Sequence, residues 1–172
     1  MKSNLNISLV AECNVDTLFI GKLSGYTPHH SRGIAEVFKS LNTFPNITPA
    51  LGVTDNDHDK PKAFKFFSEQ MYLTGRLTLL KKPNAPHYLI TVHPAMDGFL
   101  FSLCGSYGIN FGKYSLPSSK SEFYKYCKIY HNLYRQSGLS NLINALIQKR
   151  PEEITQCKSW IKSISPPPPE IA

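Results

Sequence analysis

One short apolar run ends in acids: Ala50-Leu51-Gly52-Val53-Thr54-Asp55-Asn56-Asp57-His58-Asp59, set between Pro49 and Pro61. Asp55 and Asp57 share a side if the chain stays extended, because side chains alternate along a strand. Two carboxylates held that close repel each other unless a cation lies between them. Asp-x-Asp at a strand end is therefore a donor pattern suited to Mg²⁺ or Mn²⁺, which prefer hard oxygen ligands. A further acid, Glu12, closes an earlier apolar stretch, Leu9-Val10-Ala11. If the two stretches lie in one open sheet, Glu12, Asp55 and Asp57 share the edge where such sheets bind ligands. Ions held there would stabilise the attacking and leaving oxygens of a phosphodiester displacement.

The elements that must position these acids follow from the hydrophobic pattern. Leu5, Ile7, Leu9, Val10 and Ala11 predict a first strand ending at Glu12. Asn14 suits a helix N-cap, and Val15, Leu18, Phe19 and Leu23 form one helical stripe with Asp16 in the first turn. His29-His30 reads as a surface turn, followed by a helix from Ser31 to about Leu41. Leu51 and Val53 suit a strand buried on both faces. The order strand, helix, helix, strand predicts an α/β fold, with a largely parallel sheet and right-handed crossovers.

Residues 62–73, carrying Phe64, Phe67 and Met71, predict an amphipathic helix, with a strand as the alternative. Residues 77–80 and 87–92 predict strands, and 96–104 a short buried helix bearing Asp97. Helices are expected over 119–130, 139–148 and 151–164, and the Pro166–Pro169 run ends the chain as an extended tail. The chain divides on this reading into an α/β core over 1–112, a basic helical extension packed on it over 113–165, and a Pro-rich tail over 166–172.

Charge sharpens this division. Residues 1–112 carry ten Lys/Arg against eight Asp/Glu, and residues 113–172 carry nine against four. A basic half beside an acidic cluster suits a polyanionic partner, with a solvated basic face as the plainer alternative. Lys60, Lys62 and Lys65 follow the acids and are placed to hold phosphates. Lys125 and Lys128 lie among Tyr124, Tyr126, Tyr130 and Tyr134, a mixture that suits stacking on unpaired bases and equally a helical core with snorkelling lysines.

No run reaches the 18 or so apolar residues of a membrane span, and Met1–Val10 lacks the layout of a secretion signal. The expected compartment is the cytoplasm, with Cys13, Cys104, Cys127 and Cys157 as reduced thiols. An EF-hand loop beginning at Asp55 would need Gly at position 60 and Glu at 66, where Lys60 and Phe66 stand. P-loop and Gly-x-Ser-x-Gly patterns are absent.

With both acidic strand ends in view, the sequence resembles the Toprim family of topoisomerases, primases and overcoming-lysogenization-defect nucleases. The family's first motif is an apolar strand, Glu, usually Gly, two residues, then an acid. Leu9-Val10-Ala11-Glu12-Cys13-Asn14-Val15-Asp16 matches, with Cys13 in place of Gly. The second motif, a strand ending in Asp-x-Asp, is matched by Gly52-Val53-Thr54-Asp55-Asn56-Asp57. His93-Pro94-Ala95-Met96-Asp97 is similar to a Pro-x-x-Glu segment of small defence nucleases, with Asp97 replacing Glu. The resemblance covers roughly residues 5–104.

It implies a Toprim-like, Rossmann-like fold and a Mg²⁺- or Mn²⁺-dependent nuclease or phosphodiester-transfer enzyme on DNA or RNA, in host defence. Glu12, Asp55 and Asp57 would be the metal ligands, and Glu12, Asp16 and Asp97 the catalytic acids. A catalytically inactive Toprim-like binding or assembly subunit is the alternative. A short chain of this kind also leaves room for a protein partner or a homo-oligomer. Each acid has a plainer role open to it: Glu12, Asp16 and Asp97 as helix-start charges, and Asp55 to Asp59 as a polar turn.

Overall fold

Alternation along the strands decides which helical layer each residue meets. Residues 7–56, 62–129 and 137–164 are described by the structure, a computed structural model. The strands are β1 (Ser8–Ala11), β2 (His29–His30), β3 (Ala50–Asp55), β4 (Glu69–Thr74), β5 (Leu77–Lys81) and β6 (His87–Val92). They form one sheet in the order β2-β1-β3-β6-β5-β4. β2, β1, β3 and β6 run parallel, and the β4–β5 hairpin adds two antiparallel strands at one margin. Ala11 pairs with Val53, and Asp55 with Val92, so β1, β3 and β6 end on one edge. This is an open, mostly parallel, Rossmann-like α/β sheet.

Two layers cover it. Leu9, Leu51, Val53, Leu79, Ile90 and Val92 face the larger layer, made of α1 (Asn14–Ser24), α3 (Met96–Ser106), α4 (Lys120–Ile129), α5 (Ser137–Lys149) and α6 (Glu152–Ile164). Val10, Ala50, Leu80 and Leu89 face the other way, toward α2 (Ile34–Thr43) and its Val37, Phe38 and Leu41. Each such buried Val, Leu or Phe is worth roughly 1.5–3 kcal/mol of transfer free energy. Gly52 sets the closeness of the α2 layer. A Cβ there would lie 2.8 Å from Leu41, 3.0 Å from Val37 and 3.1 Å from Leu89. Phe123, Ile143 and Trp160 of the C-terminal helices belong to the same buried cluster as Leu9 and Val53.

The helix expected over residues 62–73 does not form. Lys62–Phe66 makes a 3₁₀ turn, and Glu69–Thr74 is the outermost strand. Phe64 and Phe67 both turn onto Phe38 of α2, at ring-centroid distances of 6.1 and 5.6 Å. The strand that follows shifts register between Gln70 and Tyr72, which breaks the alternation a strand is recognised by. His29-His30 is a two-residue strand paired with Val10 and Ala11, where a surface turn was expected. Cys13, one residue before Asn14, is the N-cap of α1. The Pro166–Pro169 run lies outside the described residues. Among those described, no helix is long and apolar enough to cross a membrane, and all four cysteines are free thiols.

Candidate functional site

Glu12 extends the ladder one residue beyond β1, its N–H donating to the Val53 carbonyl at 3.1 Å. Its side chain then reaches along the edge, where Glu12 Oε2 accepts the backbone N–H of Asp55 at 3.0 Å. Asp55 ends β3 and uses Oδ1 to accept the N–H of Met96 at 2.9 Å. Met96 opens α3, whose own N-cap, Ala95, offers no side-chain acceptor. Asp55 therefore caps α3 from a neighbouring strand, and the positive end of the helix favours its negative charge.

Asp16 enters from α1. A reciprocal cap positions it: the Cys13 N–H donates to Asp16 Oδ2 at 3.1 Å, and the Asp16 N–H donates to Cys13 Sγ at 3.5 Å. Asp16 is fully buried, and its Oδ1 has no hydrogen-bond partner among the described residues. Burial first, then the charge of Asp55 and that of Glu12, holds its carboxyl well above the usual carboxylate range. Burial and the neighbouring Asp16 likewise push the Cys13 thiol up, so it is no thiolate nucleophile.

The structure thus brings Glu12, Asp16 and Asp55 together. Asp57 and Lys60 lie outside the described residues. Asp97 sits in the first turn of α3, where its Oδ1 accepts the Gly98 N–H at 2.7 Å. Its charge acts on Cys127 of α4, whose thiol burial and Asp97 push up to about 12. Lys62 and Lys65 lie on the 3₁₀ turn beneath α2, with the Lys65 ammonium 5.5 Å from the Phe66 ring. Lys125 and Lys128 are exposed on α4. That helix runs past the first turn of α3: a Cβ at Gly98 would lie 2.8 Å from Tyr124 Oη.

Of the other groups at this edge, Arg76 escaped the sequence reading. The Asn56 N–H donates to the Val92 carbonyl at 2.8 Å, and its Nδ2 lies 3.5 Å from His93 Nδ1. The His93 N–H donates to the Arg76 carbonyl at 2.8 Å, which ties the β4–β5 turn to the end of β6. The Arg76 guanidinium lies 5.7 Å from the centroid of Phe99 in α3. The signal that could have found Arg76 is the preceding Gly75, at φ 50°, which marks a hairpin once residues 69–74 are read as a strand.

Among the described residues, no three His, Cys, Asp or Glu side chains are grouped so as to hold a metal ion. Mg²⁺ is commonly held by one or two carboxylates together with water and substrate phosphate. The Glu12–Asp55 pair fits that lighter requirement. Comparisons with family models, with curated proteins and with solved structures returned no match.

Proposed function

We propose that the chain is a Toprim-like, Mg²⁺- or Mn²⁺-dependent nuclease that cleaves phosphodiesters of DNA or RNA at the Glu12–Asp55 edge. One observation carries the reading. Two strand-end acids far apart in sequence are joined by the 3.0 Å bond from the Asp55 N–H to Glu12 Oε2, with Asp16 buried in electrostatic reach of both. A fully buried acid whose Oδ1 has no partner among the described residues, held well above the usual carboxylate range by burial and two acidic neighbours, is a common mark of a functional site. Glu12 and Asp55 would hold the cation, with Asp57 as the next donor along the chain.

The bound ion would supply Lewis-acid charge to the phosphate oxygens. The chain supplies the rest. Asp55, fixed by the start of α3, sets where the phosphate must sit. Arg76 and the lysines of α4 balance the backbone charge of the nucleic acid. The setting is the cytoplasm, where free thiols such as these persist.

The test is a cleavage panel of single- and double-stranded DNA and RNA with Mg²⁺, Mn²⁺ or EDTA. Cation-dependent cleavage is expected, falling at least about 100-fold in Glu12→Gln and Asp55→Asn, the scale of one lost catalytic group. A wild-type protein that cuts nothing and gains no thermal stability from either ion would refute the reading. A second reading, an inactive binding or assembly subunit, draws on the lack of a three-ligand group among the described residues. It is selected if the wild type binds nucleic acid but the acid-to-amide variants change neither binding nor stability in Mn²⁺.

A further inference from the structure

We infer that His30 is a further catalytic residue at this edge, the base that takes the proton of the attacking water. The inference rests on the nuclease reading above and adds the group that activates the nucleophile. β2 is short, but its place is well defined: His30 pairs with Ala11, the residue before Glu12. Neighbouring strands lie about 4.8 Å apart, so His30 starts one strand away from the end of β1, on the side of β1 opposite β3. The chain beyond it stays tied to β1. The Ser31 N–H donates to the Ala11 carbonyl at 2.8 Å, and the Gly33 N–H donates to the Glu12 carbonyl at 3.3 Å.

The ring is also held in one tautomer. Thr17 Oγ1, on α1, donates to the Cys13 carbonyl at 2.6 Å. A hydroxyl has a single proton to give. At its 3.3 Å contact with His30 Nδ1, Thr17 Oγ1 is therefore the acceptor, and Nδ1 carries the hydrogen. That leaves the lone pair on Nε2, and His30 is exposed, so Nε2 is within reach of a substrate. An idle surface histidine has no need of a fully buried threonine to orient it.

The groups acting on the ring are the Thr17 hydroxyl and the Cys13 backbone from the α1 side, and Arg32 and His29 on its own segment. Partial desolvation of the ring on its Thr17 side first, then Arg32 and His29, lowers the His30 pKa, while the Cys13 backbone opposes them. The neutral base is thereby favoured near pH 7.

In the step, a water proton passes to Nε2 as the water oxygen bonds to phosphorus. The bond from phosphorus to the departing sugar oxygen breaks, with its electron pair on that oxygen. Solvent protonates the oxygen, and the imidazolium returns its proton to bulk water.

The test compares wild type, His30→Gln, His30→Ala and Glu12→Gln by cleavage rate against pH, with melting in Mn²⁺ measured in parallel. Both His30 variants should lose about 100-fold or more in rate and the acid limb of the pH profile, yet keep the wild-type melting shift in Mn²⁺. Added imidazole should restore part of the His30→Ala rate. Wild-type rate and pH profile in His30→Gln, or a loss in His30→Ala that imidazole does not relieve, overturns the role of His30 and leaves the nuclease reading standing. No cleavage by the wild type overturns both.

Discussion

Asp16→Asn should stabilise the cation-free protein, and by more as the pH rises. The ordinary pKa of this carboxyl is 3.8, and burial with Asp55 and Glu12 nearby raises it well above that in the folded state. The folded protein then keeps a proton that the unfolded chain has released. Stability contributed by this group is complete below the unfolded pKa and is lost as pH climbs toward the folded one, at about 1.4 kcal/mol per pH unit. Asparagine does not titrate. Its carbonyl can accept the Cys13 N–H now taken by Oδ2, and its amide puts donors where Oδ1 has no partner among the described residues. Between pH 4.5 and 6 the gap between variant and wild type should widen, by at most about 1.4 kcal/mol per pH unit, or about 3–6 °C in Tm per unit for a chain of this size. Thermal melts in EDTA at the two pH values measure it. A gap that is constant or narrows with pH would show that Asp16 is ionised in the folded protein, and the account of the acidic edge would fail.

Three other outcomes follow from the same geometry. Asp55→Ala should lower Tm by about 2–4 °C through loss of the α3 cap, worth about 1 kcal/mol, whereas Asp55→Asn keeps the acceptor and melts at or above the wild type. Both should lose the melting shift in Mn²⁺, which differential scanning fluorimetry reads directly. Mn²⁺ should raise the wild-type Tm and excess EDTA should reverse the rise, because an ion held by the folded state stabilises it; no shift at millimolar Mn²⁺ would count against the site. Gly52→Ala should cost about 1–3 kcal/mol in urea melts, since its Cβ would press on Leu41, Val37 and Leu89.

How far sequence could be read depended on how locally each feature is encoded. β3 was legible because Ala50–Val53 is buried on both faces and reads as an unbroken apolar run. Glu12 and Asp55 were legible for a related reason: a buried strand must end before its first charge, so the acids mark the edge. β4 was not, because Phe64 and Phe67 answer to Phe38 across the α2 layer and the irregular pairing at Gln70 and Tyr72 removes the period of two. Missing that strand also hid the turn that brings Arg76 to the site. His30 was hidden more deeply. A two-residue strand has no period, and its orientation depends on a threonine 13 residues away in sequence.

Asp55 belongs to two assemblies at once. The oxygen that closes the first turn of α3 sits on the carboxylate nearest the edge, and that turn bears Gly98 against Tyr124 of α4. The same carboxylate therefore stands at the strand end and under the helix start that carries the Gly98–Tyr124 contact. The end of β3 and the packing of α3 on α4 are thus joined through a single carboxylate.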